Sequence, residues 1–282
     1  MRRLIAGSMF MIVLAGCSGG NTPTDSASPP SPAASQAPQG EVNGKFDVGD
    51  YQLHLACKGS GAPTVVYFHG LGGAGADVDE AIAPRLTDRL RVCSYDRVNV
   101  GQSDSQEARH TGEDSVRDLH ALLTAAAVPG PYLLVGFSFG GLLASMYAGT
   151  HPDEVRGVLL IDASLPTDEE VDNMIPAAER AQVKAEQEAN QEHVEFYRTL
   201  GQAEQAVRSM PDVPVTYMAA EPVDLSSTWP VERMRTFIRA KQTEFVHRFR
   251  QGRLVPVKSS HNIDLDKPDL VIAEVNRIVA AS

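Results

Sequence analysis

The apolar residues of this chain recur with two different periods, and the alternation between them predicts the fold. Short strand-like runs stand at KFDVG (45–49), YQLHLAC (51–57), TVVYF (64–68), RVCSYD (91–96), YLLVGF (132–137), GVLLID (157–162), VPVTYM (213–218) and RLVPV (253–257). Several are continuously aliphatic, the pattern of strands covered on both faces. Helical spacing appears between them: 113–127, with Val116, Leu119, Leu122 and Leu123 on one face, then 140–150, 229–250 and 268–280. Strands alternating with helices predict an α/β domain, a mostly parallel eight-stranded sheet flanked by helices on both sides. Residues 166–209 break the rhythm. They are helix-prone, lie between two strands and carry ten acidic residues against four basic ones, so they read as an inserted helical cap over one end of the sheet.

The N-terminus follows a different pattern. MRRLIAGSMFMIVLAGC opens with two arginines and continues with thirteen largely apolar residues from Leu4 to Gly16. That run is short for a membrane span and suits an export signal. Its ending, Leu14-Ala15-Gly16-Cys17, resembles the lipobox of bacterial lipoproteins. The resemblance implies a leader at 1–16 that is cut before Cys17, whose thiol then takes acyl chains such as palmitate. Several acyl chains hold a protein on a membrane where one alone is marginal. Residues 17–41 are Ser-, Pro-, Ala- and Thr-rich with almost no large apolar side chain, so beyond the lipidated cysteine they read as a disordered tether. The folded domain is expected over 42–282, held on the extracytoplasmic side of a membrane of the cell envelope.

Composition narrows the partners. With 43% hydrophobic residues the domain can bury a sizeable core. The chain has 25 basic and 36 acidic residues, a formal net charge of -11. Nucleic acid is a poor partner for such a surface, because phosphate binding needs clustered Lys and Arg. With Cys17 assigned to lipid, Cys57 and Cys93 remain. In an oxidising compartment they read either as a disulfide or as two separate buried thiols. No H-E-x-x-H or C-x-x-C run is present, so neither metal nor cofactor is expected.

The chemistry concentrates around one hydroxyl. Gly136-x-Ser138-x-Gly140 falls where a strand ends and a helix begins, the context of a nucleophile elbow. Small residues there let the backbone turn sharply and leave the Ser138 hydroxyl at the strand's end. The following helix offers the Phe139 N–H and the positive end of its dipole to a developing oxyanion. A serine needs a base, and His261, after the last strand, is the best placed of the eight histidines. A rival reading comes from Gly70-Leu-Gly72-Gly-Ala-Gly75 with Asp96 about twenty residues on, the spacing of a dinucleotide-binding fingerprint and hence of an NAD-binding oxidoreductase. A third is a catalytically silent lipoprotein that only binds a ligand.

Together FHGLGG, YDRVNVGQSD, GFSFGG and SSHNIDLDKPDLV are similar, in order, to the oxyanion loop, the D-R-x-x-x-G-x-S turn, the elbow and the histidine loop of the α/β-hydrolase family. The resemblance covers about Val42 to Ala281. It implies the α/β-hydrolase fold with a helical cap, and a Ser-His-Asp triad cleaving a small-molecule acyl substrate, an ester more than an amide, without a cofactor. It adds the Leu71 N–H as second oxyanion donor, and it sets the second and fourth strands side by side, hence Cys57 beside Cys93. Members acting on epoxides or carbon–halogen bonds carry Asp where this chain has Ser138. For the third triad member the family's usual site offers only Glu221 and Asp224, slightly out of register. Asp162, closing the strand after the nucleophile helix, occupies the family's alternative location, as in some haloalkane dehalogenases, and is preferred. Asp96 and Arg97 read as a structural turn pair, and the acidic cap as a surface that disfavours anionic substrates. Oligomeric state is not legible.

Overall fold

The computed structural model describes residues 40–75, 82–223 and 225–282. One sheet holds β1 (Val42–Asp47), β2 (Gln52–Lys58), β3 (Thr64–Phe68), β4 (Arg91–Tyr95), β5 (Tyr132–Phe137), β6 (Val155–Ile161), β7 (Val215–Glu221) and β8 (Gly252–Lys258), in the order β1-β2-β4-β3-β5-β6-β7-β8. β2 runs antiparallel to both β1 and β4, and the remaining neighbours are parallel. All eight expected strands are present. The largest displacements, three residues each, are in β7, which ends at Glu221 instead of Met218, and in β1, which begins at Val42 instead of Lys45. As an edge strand with alternating partial burial, it carries a weak hydrophobic signal.

The helices are α1 (Gly112–Ala125), α2 (Phe139–Thr150), α3 (Asp168–Asp172), α4 (Ala177–Glu188), α5 (Phe196–Ala206), α6 (Val231–Val246), α7 (Ile263–Asp266) and α8 (Pro268–Ala281), of which the sequence spacing located α1, α2, α6 and α8. The one-turn α7 was not foreseen, because four residues are too few to show a period. α3 to α5 form the insertion between β6 and β7 expected at 166–209. Among the described residues no helix is long and apolar enough to cross a membrane.

Strand side chains alternate between faces, so the core is two layers. Val66, Phe68, Leu134, Leu160 and Tyr217 pack towards α1 and α2 and the cap residues Phe196 and Leu200. Val65, Leu133, Val135, Leu159 and Ile161 pack on the opposite face with Val271, Val275 and Ile278 of α8. α2 is apolar almost all round, with Leu142, Leu143, Met146 and Tyr147 at most 1% exposed. Such a helix must be covered on every side, and here α1 and α5 cover what the sheet does not. α1 opens on a capping box, in which the Thr111 side chain accepts from the Asp114 N–H and the Asp114 carboxylate accepts from the Thr111 N–H. Its first residue, Gly112, donates its N–H to Thr199 Oγ1 of α5 at 2.9 Å. A Cβ there would stand 2.4 Å from Thr199 Cγ2, so the cap seats directly on the body where a side chain is missing.

Cys57 and Cys93 face one another in the β2–β4 register and are joined as a disulfide, with Cα atoms 4.0 Å apart. The parallel strands all deliver their carboxyl ends to one edge. There lie the loop after β3, the β5–α2 junction, the end of β6 and the loop after β8.

Candidate active site

At the β5–α2 junction the chain turns through Ser138, whose φ of 52° and ψ of -124° lie outside the region open to ordinary L-residues. Such a conformation costs on the order of 1–3 kcal/mol and persists only where the surroundings impose it. Here they do: the Ser138 N–H donates to Ile161 O at 3.0 Å, and its carbonyl accepts from Gly141 N at 2.9 Å and Ser164 N at 3.0 Å. The flanking glycines are required by close approach. A Cβ at Gly140 would fall 2.2 Å from Phe68 O, and one at Gly136 would fall 2.5 Å from Gly141 Cα.

Asp162 is placed by the end of β6. Its Oδ1 accepts from the Ala220 N–H at 3.0 Å, which leaves Oδ2 to accept from His261 Nδ1–H at 2.7 Å. That bond fixes the tautomer that presents Nε2 away from the acid. The imidazole also packs on Phe137, the residue before Ser138, with ring centroids 4.8 Å apart. Histidine and acid are therefore joined by a hydrogen bond. The described hydrogen bonds include none between Ser138 and His261, whose nearness is carried by the Phe137 ring; such bonds commonly tighten only when substrate is bound.

The other two acids fare differently. Glu221 ends β7 exposed and forms an ion pair with Arg239, because the side chain that closes this strand turns outward to α6. Asp224 lies outside the described residues, as do Cys17, the leader and nearly all of the expected tether.

The loop after β3 lies against the elbow, with a Cβ at Gly70 falling 3.5 Å from Ser138 Cβ. Leu71 follows within this loop, and Phe139, 1% exposed, opens α2, whose first N–H groups have no partner within the helix. Arg97 pins the loop, donating Nη1–H to His69 O at 2.8 Å and Nη2–H to Gly70 O at 2.7 Å. The same guanidinium meets Glu192 of the cap, through Nε at 2.7 Å to Oε2 and Nη2 at 2.7 Å to Oε1, and Glu192 also accepts from the Gly72 N–H. Glu192 is 0% exposed. Burial pushes its carboxyl up, and the charge and hydrogen bonds of Arg97 more than reverse this, so it sits below the usual range. His69, beside them, is held down to about 3 by burial first and by Arg97 second, and is neutral. The expectation that Asp96 and Arg97 form a turn pair is thus half right. Asp96 does hold the turn, accepting from Gly75 N at 2.7 Å and Gln102 N at 2.9 Å. Arg97 instead staples the loop beside the elbow to the cap. Nothing in the spacing singled out Glu192 among ten cap acids. With its oxygens so used and 3% exposed, Asp96 is not free to take the hydroxyls of a ribose, as the dinucleotide reading requires.

A hydrolase-family model, described as alpha/beta hydrolase fold, matches residues 63–257. The chain belongs to the alpha/beta hydrolase fold family. It is 24% identical over 220 residues to the uncharacterized protein YqjL of Bacillus subtilis (strain 168), covering 76% of this chain and 82% of that one. It is 34% identical over 121 residues to the 2-(acetamidomethylene)succinate hydrolase of Mesorhizobium japonicum, spanning 43% of this chain and 42% of that enzyme. Among solved structures, E-2-(acetamidomethylene)succinate hydrolase superposes with a TM-score of 0.62 at 22% identity, over 86% of this chain and all of the other. Away from the sheet edge where this family's loops gather, ligand atoms of His120, His151 and Glu154 come within 4.8 Å of one another. The two imidazoles are stacked, 4.1 Å apart and nearly parallel, so their lone pairs run side by side instead of converging, and Glu154 already accepts from Tyr147 O–H at 2.6 Å.

Proposed function

We propose that this alpha/beta hydrolase is a serine hydrolase that cleaves an ester bond, and less readily an amide, through Ser138, His261 and Asp162. The observation that carries the reading is the Asp162–His261 hydrogen bond of 2.7 Å at the sheet edge where Ser138 is held at a φ of 52°. In the proposed reaction His261 Nε2 takes the Ser138 proton as Oγ attacks the carbonyl carbon. The carbonyl oxygen gathers negative charge opposite the Leu71 and Phe139 N–H groups. The tetrahedral adduct collapses to an acyl-serine, and His261 returns the proton to the departing alcohol or amine. Water, deprotonated by the same imidazole, then releases the acid and restores the hydroxyl. Asp162 holds the imidazole and stabilises its charged form without taking the proton.

A fluorophosphonate probe tests this directly. Wild type is expected to be labelled, and Ser138→Ala not. A wild type that stays unlabelled, and is inactive on p-nitrophenyl esters, would leave the silent ligand-binding lipoprotein instead. We also propose that the leader ends at Gly16 and that the mature chain is lipidated on Cys17 and held at a membrane on its extracytoplasmic side. Cys17→Ser is then expected to move the protein from the membrane fraction to the soluble one.

A further inference from the structure

Beside His261 lies a cavity of about 230 Å³ whose lining carries three carboxylates, Asp162, Asp168 and Asp172, and one lysine. Asp168 of α3 lines it and has no ion-pair partner among the described residues. Burial, with smaller contributions from the charges of Asp172 and Asp162, pushes its carboxyl up to about 7, against the Ser164 hydroxyl and the Leu165 backbone, which favour the ionised form. Asp172 also lines the cavity. It accepts from Tyr197 O–H at 2.7 Å, and burial raises it too.

An independent feature points the same way. Gln242 of α6 lines the cavity and is 3% exposed. Its Nε2–H donates to Tyr217 Oη at 3.4 Å, whereas its Oε1 receives no hydrogen bond. An unsatisfied buried amide oxygen costs about 1–3 kcal/mol. Lys241 is the one lysine of the lining, and its partners are Glu170 at 3.5 Å and Glu244 at 3.9 Å, not the aspartates. Lys184, near Asp172, is committed to Glu169 at 2.8 Å. Water can satisfy an amide oxygen, but it carries no charge to set against a half-buried carboxylate. What Asp168 lacks is a hydrogen-bond donor that carries positive charge. Phe196, on its apolar side, suits the methylenes such a donor would bring.

We propose that this cavity receives a protonated amine, so that the substrate is an ester or amide bearing an ammonium group a few methylenes from the scissile carbonyl. The proposal rests on the hydrolase reading of Ser138 and His261, and it gives the acidic cap a partner of defined chemistry. The reaction itself is unchanged. The ammonium binds and orients, and takes no part in proton transfer.

Two isosteric probes test it: the p-nitrophenyl esters of 6-aminohexanoic and heptanoic acid. Wild type is expected to show a kcat/KM ratio favouring the amine by at least about tenfold, the effect of one charged hydrogen bond. Asp168→Asn is expected to cut that ratio by at least about tenfold. Asp172→Asn serves where Asp168→Asn does not fold. A wild-type ratio near one, with the heptanoate turned over, overturns the ammonium site and leaves the hydrolase standing. Calorimetry on Ser138→Ala decides the cavity without catalysis. Saturable binding of n-pentylammonium that is lost in the Asp168→Asn/Ser138→Ala variant supports the proposal. Absent binding, or equal binding of n-pentanol, overturns it.

Discussion

At the scale of single residues, the site is built from positions held in conformations that their own chemistry disfavours. Ser138 sits at a φ of 52° that glycine adopts freely. Ser138→Gly is therefore expected to exceed Ser138→Ala in stability by about 1 kcal/mol in urea unfolding, although neither reacts with a fluorophosphonate. His69 is neutral with a folded value of about 3, well under that of an unfolded histidine. The unfolded chain therefore binds the extra proton, and this residue's contribution to stability, present above about pH 6.5, is lost as pH falls towards 3. Asp168 is raised to about 7 and acts with the opposite sign, its contribution being lost as pH rises from about 4 through 7. Across pH 4–6.5 the slope of unfolding free energy is expected to flatten in His69→Gln and to steepen in Asp168→Asn, each compared with wild type. Unchanged slopes would remove these groups from the account of acid sensitivity.

At the scale of elements, the decisive contact is the Arg97–Glu192 staple between the loop after β3 and the cap. Both partners are buried, at 2% and 0%. Removing one charge strands the other, which typically costs about 3–5 kcal/mol. Glu192→Gln and Arg97→Met are each expected to destabilise strongly and to weaken turnover, whereas the double variant Arg97→Met/Glu192→Leu regains much of the stability and little of the activity. Recovery of both would mean that the staple does not position the loop. The sequence announced the strands, because buried parallel strands are continuous aliphatic runs, whereas Asp162 was preferred through the resemblance, which sets an acid at the end of the strand after the nucleophile helix. It could not announce Glu192. A buried acid inside an otherwise charged helical segment looks like its solvated neighbours until a residue 95 positions away supplies the guanidinium. Glu221, one of the two alternative acids, pairs at the end of β7 with Arg239 of the neighbouring helix, a partner its sequence position did not show.

At the scale of the whole molecule, the sheet is held at both flanks by different means. On one flank the Cys57–Cys93 disulfide ties β2 to β4 across a separation of 36 residues. Closing a loop of that length in the unfolded chain is worth about 4 kcal/mol in the chain-entropy model. Cys57→Ser/Cys93→Ser is expected to lose about 2–4 kcal/mol by urea denaturation, with the ratio of activities on different esters unchanged, because the bond lies on the flank away from the β8 loop. The opposite flank has no such brace among the described residues. β8 pairs only with β7 and is only partly buried along most of its length, yet the imidazole hangs from the loop that leaves it. Warming that peels this outermost ribbon would carry off the proposed proton acceptor while the disulfide-tied half of the sheet stayed folded, so the molecule should fall silent at a temperature where it still looks native.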